Sequence, residues 1–250
     1  MKFISIIPAR YASTRFPGKP LADLGGKPVI QHVYERVSQV IDDVYVATDD
    51  ERIFRTVNAF GGNAIMTRAD HRSGTDRICE ALEKVRSDEN NGELVVINVQ
   101  GDEPFIRPEQ IETLCGLFDT DETHIATLAT HFNNPDDVKS PNSPKIVTDK
   151  RGFALYFSRS VIPFVRDTGE GRQGSQDGSS PYLKHIGIYA YRANVLREIA
   201  QLPPSPLEKA ESLEQLRWLE NGYRIRVGLT SQATIGIDTP ADLEKARQLL

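Results

Sequence analysis

Three cations stand close together in the first loop of the chain. Arg10, Arg15 and Lys19 follow an apolar run at residues 3–7 that has the composition of a buried β-strand. In open α/β sheets ligands bind beyond the carboxyl ends of the strands, and guanidinium and ammonium groups there suit phosphate oxygens. The loop therefore indicates a polyanion site, such as one for a nucleoside triphosphate; from the loop alone, a solvated basic turn is the alternative. It is not a Walker loop, because Lys19 is followed by Pro20 instead of Ser or Thr.

Two acidic residues, like the basic loop, follow apolar segments. Asp102 follows the apolar run at 94–99, and Asp238 follows a shorter one. A carboxylate near bound phosphates is typical of a Mg²⁺ site, because this ion takes one or two carboxylates and completes its shell with phosphate oxygens and water. The alternatives are that Asp102 caps the next helix and that Asp238 belongs to a turn, although Thr239 already supplies a cap there. Sequence separation does not show whether the two acids meet.

Three further groups carry polar chemistry. The polar segment 68–77 precedes a predicted helix whose first amides can face a ligand, with a capped loop as the alternative. Arg159 follows an aromatic strand and suits a bidentate bond to a carboxylate. His185 and Tyr189 are four residues apart on a predicted strand and so share a face, which is equally consistent with ordinary sheet surface.

Glu214 has an unusual predicted environment. On a helix expected over residues 206–221 it projects onto a mainly apolar flank. A carboxylate directed toward a core must be paired or must serve a site. The sequence leaves both possibilities open: a functional group, or a salt bridge with Arg217.

Bulk composition limits the function classes. The 250 residues are 39% hydrophobic and 26% charged, with a net charge of −5, which is typical of a globular protein and argues against a generic nucleic-acid binder. Cys79 and Cys115 lack metal-ligand spacing, which favours a reducing compartment. We expect no signal peptide and no membrane insertion, because the apolar run at 3–7 is too short for either. The expected location is the cytoplasm.

Strand and helix patterns alternate along the chain, which predicts βαβ units and an α/β fold with a mostly parallel sheet flanked by helices. Strands crowd together between about 125 and 158, which predicts a mixed sheet with a small antiparallel subregion. Residues 166–180 are rich in Gly, Ser and charge without an apolar period, and we expect a flexible loop there. No linker interrupts the pattern, so a single domain over residues 1–250 is predicted.

The predicted elements have the following bounds: strands at 3–7, 44–47, 94–99, 125–129, 145–148, 154–157, 186–190 and 225–228, and helices at 28–40, 50–60, 74–85, 108–117, 192–200, 206–221 and 240–250.

Seven segments in order along the chain resemble one enzyme family, that of 3-deoxy-manno-octulosonate (Kdo) cytidylyltransferases. They are PARYASTRFPGKPL, TRADHRSGTDR, INVQGDEP, ALYFSR, HIGIYAYR, PSPLEKAESLEQLR and GIDTPADL. The resemblance implies a Rossmann-like, Mg²⁺-dependent, homodimeric nucleotidyltransferase of the cytoplasm. Its implied reaction converts CTP and Kdo into CMP-Kdo and pyrophosphate for lipopolysaccharide synthesis.

The resemblance also implies roles for individual residues. The implied catalytic residues are Arg15, Lys19, Asp102 and Asp238, of which the two acids bind the metal. The implied nucleotide-binding residues are Ala9, Arg10, Arg15, Lys19, Ser73, Gly74, Thr75, Arg77 and Gln100. The implied sugar-binding residues are Gln100, Arg159, His185, Tyr189, Glu214 and Gln215.

Other functions remain as alternatives. One alternative within the same class is a cytidylyltransferase that acts on another acid sugar, such as 8-amino-Kdo or a sialic acid. An alternative from a different class is a non-catalytic CTP-binding module. A dinucleotide-dependent oxidoreductase is disfavoured, because no G-x-G-x-x-G turn follows the first strand.

Overall fold

The computed structural model describes residues 1–13, 15–86, 93–166, 180–232 and 235–250. By its internal contacts the chain divides into two units. The first contains Met1–Cys115, Ile188–Gln201 and Thr234–Leu250, and the second contains Gly116–Gly187 and Leu202–Ala233. The single domain expected from sequence stays a prediction. Most of the loop expected at 166–180 lies outside the described residues.

The strands and helices are numbered in chain order. The strands are β1 Lys2–Ala9, β2 Asp23–Leu24, β3 Lys27–Pro28, β4 Val44–Thr48, β5 Asn63–Met66, β6 Leu94–Asn98, β7 Ile125–His131, β8 Lys145–Thr148, β9 Ala154–Ser158, β10 Leu183–Arg192 and β11 Ile225–Leu229. The helices are α1 Val29–Val37, α2 Glu51–Ala59, α3 Gly74–Arg86, α4 Pro108–Gly116, α5 Ala193–Ile199, α6 Pro206–Glu211, α7 Gln215–Glu220 and α8 Pro240–Arg247. Short 3₁₀ helices cover Lys19–Leu21 and Pro135–Lys139.

The sheet of the first unit is mostly parallel. Strand β1 pairs in parallel with β4 on one side and β6 on the other, and β4 pairs in parallel with β5. The second half of β10 pairs antiparallel with β6, which places Tyr189 opposite Asn98. All five residues of β6 are buried, as expected for a central strand with both faces covered. Because β1, β4 and β6 run the same way, the loops that follow them meet at one edge of the sheet.

The second unit contains the antiparallel subregion predicted from sequence. Strand β8 pairs antiparallel with β9 and with the first half of β10. Strands β7 and β11 pair in parallel, with Ile225 opposite Ile125. The mixed, mostly parallel α/β architecture is thereby confirmed. None of the helices in the described ranges has the length and apolar character that crossing a bilayer requires.

The helix predicted over residues 206–221 is wrong as a single element. Two short helices, α6 and α7, occupy this stretch, and Ser212 between them adopts a left-handed conformation with φ 51°. Leu213 is buried after this turn. Since the chain changes direction at Ser212, the helical projection used for Glu214 does not apply.

Two helix starts follow their sequence signals closely. In α6, Ser205 and Glu208 form a reciprocal capping box, with Pro206 in the first turn. In α8, Thr239 and Asp242 do the same, with Pro240 in the first turn. The prediction that Thr239, and not Asp238, caps this helix is confirmed.

Candidate active site

A cavity of about 320 Å³ opens in the first unit, where the loops after β1 and β6 meet. Five cationic side chains and two carboxylates line it, so the local balance is positive although the whole chain has a net charge of −5. Such a cavity attracts anions and concentrates them at the sheet edge. Its lining residues are Pro8, Ala9, Arg10, Ser13, Arg15, Lys19, Pro20, His71, Arg72, Ser73, Gly74, Arg77, Gln100, Gly101, Asp102 and Asp238.

Lys19 is the centre of the charged groups in this cavity. Its ammonium nitrogen donates to Asp102 Oδ2 at 2.5 Å and to Asp238 Oδ1 at 3.3 Å. The two acids are 136 positions apart in the sequence, and their meeting here answers the question that the sequence left open. Lys19 is itself 9% exposed, so these charge-assisted bonds form with limited competition from water.

The backbone before Lys19 makes the turn that buries its side chain. Gly18 has a φ of +73°, a conformation that glycine adopts without the steric cost of a side chain. The 3₁₀ helix begins at Lys19 directly afterwards, with Pro20 inside its first turn. The loop therefore ends in a fixed turn that brings Lys19 back beneath it.

Asp238 is held in place by the segment that leads into α8. The backbone N–H of Ile237 donates to the Asp102 carbonyl at 2.9 Å, which ties the two acid-bearing segments together. Ile237 also belongs to a buried cluster with Leu24, Val29 and Leu243. Apolar packing thus fixes α8 against the first loops, and the Asp238 carboxylate is left to face Lys19.

Gly101 allows the loops after β1 and β6 to approach closely. A Cβ atom at this position would lie 2.9 Å from the carbonyl oxygen of Pro8 and 3.4 Å from Ala9 Cβ. No side chain fits there without moving the backbone. The glycine therefore permits Asp102 and the end of β1 to line the same cavity.

The donor chemistry of the paired acids fits a hard divalent cation. Asp102 and Asp238 offer carboxylate oxygens around one positive charge, the Lys19 ammonium. Within the described ranges no group of three or more His, Cys, Asp or Glu side chains is arranged to hold a metal. Mg²⁺ does not require such a cluster, because it completes its shell with phosphate oxygens and water.

The remaining cations differ in how strongly the protein engages them. Arg15 pairs with Asp238 at 3.2 Å, and both side chains are more than half exposed, so the pair is screened and readily exchanged. Arg10 and Arg72 are exposed at the cavity. Arg77 is buried and donates to Asp49 at 2.9 Å and to Thr67 at 2.6 Å.

The start of α3 forms another wall. The hydroxyl of Ser73 accepts from the Asp76 backbone N–H at 3.1 Å, so Ser73 caps this helix. The capped loop considered as the alternative for segment 68–77 is therefore present. Ser73 and Gly74 also line the cavity. Thr75, predicted with them, is buried in the first turn and is not among the described lining residues.

His71 is anchored by a carboxylate behind the cavity wall. Its Nε2 atom is hydrogen-bonded to Glu80, which also accepts from the Arg68 backbone N–H and pairs with Lys84. Burial raises the pKa of Glu80, but hydrogen bonds from Lys84, the Arg68 backbone and His71 together lower it to about 2. Glu80 is therefore ionised and holds the His71 loop in place.

Gln100 and Tyr189 are each neighbours of Asn98, at the end of β6. The Gln100 amide donates to Asn98 Oδ1 at 3.1 Å, and Asn98 is the register partner of Tyr189. Tyr189 is 7% exposed and stacks on Tyr191 with ring centroids 5.9 Å apart. Gln100 lines the cavity, whereas Tyr189 is not among its described lining residues.

Arg159 lies in the second unit and is engaged with backbone carbonyls. It donates to the Glu211 carbonyl at 2.7 Å, the Pro141 carbonyl at 2.8 Å and the Ser212 carbonyl at 3.2 Å. The Glu211 side chain in turn accepts from the Arg159 backbone N–H at 2.9 Å. Arg159 thus supports the left-handed turn at Ser212, a role that its position after a strand did not reveal.

His185 also lies in the second unit. Its Nε2 atom is 3.1 Å from Thr127 Oγ1, and its ring packs edge-on against Phe157 with centroids 5.1 Å apart. Burial lowers the pKa of His185 to about 3, because the charged imidazolium loses its hydration there. The imidazole is therefore neutral near pH 7.

Glu214 and Gln215 begin α7. Glu214 Oε1 accepts from Arg217 Nη2 at 2.7 Å, so the salt bridge considered from sequence is present. Gln215 is 5% exposed, and its amide nitrogen has no hydrogen-bond partner among the described residues. A buried donor of this kind is costly unless a ligand or water accepts from it.

Several residues of the cavity were absent from the predicted set. They are Pro8, Ser13, Pro20, His71, Arg72 and Gly101. All lie within the segments that carried the predicted residues. Membership of the basic loop, of the 68–77 segment or of the segment after the apolar run at 94–99 was the available signal, but the orientation of these residues depends on tertiary packing.

Comparison with known proteins shows the family of the chain. A cytidylyltransferase family model matches residues 4–225. A 3-deoxy-manno-octulosonate cytidylyltransferase from Parabacteroides distasonis is 59% identical over 255 positions, covering 100% of this chain and 98% of its own. One from Phocaeicola vulgatus is 59% identical over 254 positions with the same coverage.

A solved structure agrees at the level of the fold and the sequence. It is that of a CMP:2-keto-3-deoxy-manno-octonic acid synthetase complexed with CTP. It has a TM-score of 0.88 and 50% identity, with 100% of this chain and 98% of the other covered. The chain therefore belongs to the cytidylyltransferases, in the family of 3-deoxy-manno-octulosonate cytidylyltransferases.

Proposed function

We propose that this protein transfers the cytidylyl group of CTP to Kdo, giving CMP-Kdo and pyrophosphate. The observation that carries the proposal is the convergence of Asp102 and Asp238 on Lys19 inside a cation-lined cavity. Full-length similarity to Kdo cytidylyltransferases supports the choice of substrates. A non-catalytic CTP-binding module would have no use for two carboxylates placed beside the phosphate-binding cations.

The triphosphate is assigned to the loop after β1. Arg10 and Arg15 supply guanidinium groups that bind phosphate oxygens, and Lys19 supplies a fixed ammonium. Transfer proceeds by in-line attack of the sugar's anomeric hydroxyl on the α-phosphorus, with pyrophosphate leaving. These cations stabilise the charge that develops on the leaving group, so catalysis is mainly positioning and electrostatics.

The cytidine is assigned to the segment at the start of α3. Ser73 and Gly74 present polar groups to the cavity, and Gln100 does so from the loop after β6. Arg77 also lines the cavity, where Asp49 and Thr67 hold its guanidinium in place. Thr75 supports the same turn from its buried position. The backbone at Ala9 closes the cavity at the end of β1.

Asp102 and Asp238 are the residues that would hold Mg²⁺. When bound, the ion supplies charge neutralisation at the phosphates and lowers the pKa of a coordinated hydroxyl. Lys19 donates to both carboxylates and is well placed to move to the phosphates. The two acids are thus oriented before substrates arrive.

The sugar acid is assigned to the residues for which the family resemblance implies this role. Arg159 carries a guanidinium suited to its carboxylate, and the neutral His185 and the phenol of Tyr189 can hydrogen-bond to hydroxyls. Glu214 and the buried amide of Gln215 offer polar groups at the start of α7. Gln100 belongs to the same implied set.

The setting of the reaction is also a proposal. We infer a cytoplasmic homodimer that makes an activated sugar for lipopolysaccharide synthesis. Support comes from the family to which the chain belongs and, for the compartment, from Cys79 and Cys115, which are free cysteines as a reducing environment favours.

Pyrophosphate release tests the proposed function. The purified protein is incubated with CTP and Mg²⁺, with Kdo present and with Kdo absent. We expect release only when Kdo is present. If release instead requires 8-amino-Kdo or a sialic acid, the substrate assignment is overturned. If folded protein binds CTP but releases no pyrophosphate with any of these sugars, the enzymatic function is overturned.

A further inference from the structure

The ring of Tyr11 packs inside the loop that carries the phosphate-binding cations. The Tyr11 carbonyl accepts from the backbone N–H groups of Ser13 at 3.0 Å and Gly18 at 2.9 Å, which closes the loop on itself. The ring lies against Gly18, where an added Cβ atom would sit 3.0 Å from two ring carbons. The position of this ring therefore affects the turn that delivers Lys19 to the cavity.

Arg52, from the first turn of α2, covers the outer face of the same ring. Its guanidinium carbon lies 3.3 Å from the Tyr11 ring centroid, well inside the range of a cation–π interaction. Asp50, the N-cap of α2, fixes the guanidinium with two bonds, Nε to Oδ1 at 2.9 Å and Nη2 to Oδ2 at 2.7 Å. Asp50 is fixed in turn, because it accepts from the Arg52 backbone N–H at 2.9 Å.

We propose that Arg52 is a positioning residue for the nucleotide-binding loop and that it acts through the ring of Tyr11. The inference rests on the proposed function of that loop. Arg52 is not among the described residues that line the cavity, so it does not touch substrate. Held between Gly18 and Arg52, the Tyr11 ring keeps the Gly18 turn, and with it Lys19, in the geometry that binds phosphate before CTP arrives.

CTP affinity measured by calorimetry with Mg²⁺, without Kdo, tests the inference. An exposed cation–π contact corresponds to a change of about two- to fivefold. We expect Arg52→Gln to raise the Kd for CTP by this factor, with the KM for CTP rising in parallel and kcat changing less than twofold. Arg52→Lys keeps a charge over the ring but loses the bidentate bond to Asp50, so its Kd should lie between those of Arg52→Gln and the wild type.

Arg55 offers a matched control on the same helix. It pairs with Glu51 at 2.9 Å and is exposed, so Arg55→Gln removes one charge and one surface ion pair without touching Tyr11. We expect the two Gln variants to have similar thermal midpoints and only Arg52→Gln to weaken CTP binding. Equal CTP affinity in both variants would overturn the inference.

A double-mutant cycle shows whether Arg52 acts through Tyr11. In a Tyr11→Leu background, Arg52→Gln should have no further effect on the Kd for CTP. Fully additive losses would overturn the inference. Failure of the proposed function is seen separately, as absence of Kdo-dependent pyrophosphate release by the wild type, because the CTP-binding assay contains no sugar.

Discussion

Lys19 Nζ lies 2.5 Å from Asp102 Oδ2, and the same nitrogen lies 3.3 Å from Asp238 Oδ1. A single ammonium thus occupies the space between two carboxylates that the chain brings from separate loops. This arrangement makes Lys19 and a divalent cation alternative partners for the two acids.

Asp102→Asn should reduce turnover by more than about 100-fold, the scale of losing one transition-state electrostatic contact. The substitution preserves side-chain size but removes the charge that would hold Mg²⁺. Steady-state pyrophosphate release is the measurement, with circular dichroism as the check on folding. Asp136→Asn, at an exposed surface position, is the matched control. Near-normal turnover in a folded Asp102→Asn protein would eliminate this role.

Lys19→Gln should slow turnover, by about 100-fold on the same electrostatic scale, and yet tighten the binding of divalent metal to the nucleotide-free protein. The second effect is expected because the variant lacks the ammonium that competes for Asp102 and Asp238. Mn²⁺ titration followed by electron paramagnetic resonance measures it.

Lys27→Gln controls for the loss of one lysine, since Lys27 pairs with Glu35 at the surface. Weaker Mn²⁺ binding in Lys19→Gln than in this control would contradict the competition between lysine and metal.

His185 should make folding stability depend on pH. Its pKa is about 3 in the folded protein against an ordinary value of 6.5, so between these limits the unfolded chain binds a proton that the folded protein does not. The free energy of unfolding should therefore fall as the pH falls from about 6.5 toward 3, by up to about 1.4 kcal/mol per pH unit from this residue.

Urea unfolding across this range compares the wild type with His185→Gln, which retains a nitrogen near Thr127. The difference in unfolding free energy between the two proteins should change with pH in the stated direction. His131→Gln, exposed at the end of β7, serves as the control. A pH-independent difference for His185→Gln would refute the buried neutral imidazole.

Substitutions at Ser212 should change the free energy of unfolding according to how well the new residue tolerates left-handed backbone. Among the described residues, Ser212 is the one non-glycine residue with a positive φ, at 51°. Ser212→Val should lower the free energy of unfolding by about 1–2 kcal/mol, since left-handed backbone is unfavourable for a residue with a Cβ atom and most so when that atom is branched. Ser212→Gly should be neutral or stabilising. Thermal and urea unfolding measure both; equal stability of the Gly and Val variants would contradict the strained turn.

Local signals in the sequence predicted most of the fold. The capping boxes at Ser205 and Thr239 and the apolar run of β6 determine their elements through short-range chemistry, and all three appear as expected. Strand β5 was not predicted, because Asn63–Met66 is short and only partly buried. The break at Ser212 was also missed, since it depends on the carbonyl contacts of Arg159 and on no turn residue in the sequence.

The sequence predicted the chemistry of the candidate site but not which of its side chains pair with one another. The types and positions of Lys19, Asp102 and Asp238 indicated phosphate and metal, and these residues do share one cavity. Their pairing depends on α8 packing beside the first loops, a long-range contact with no local signature. For the same reason the sequence could not show that Arg77 is occupied by Asp49.

Cytidylyl transfer can be followed through the fate of the α-phosphate of CTP. CTP labelled at the α-phosphorus is incubated with the protein, Mg²⁺ and Kdo, and the products are separated by charge. We expect the label to move into a sugar–nucleotide conjugate in a one-to-one ratio with released pyrophosphate, and Asp102→Asn to form this conjugate more than about 100-fold more slowly. Label that stays in CTP, or that appears only in free CMP or CDP, would contradict cytidylyl transfer to Kdo.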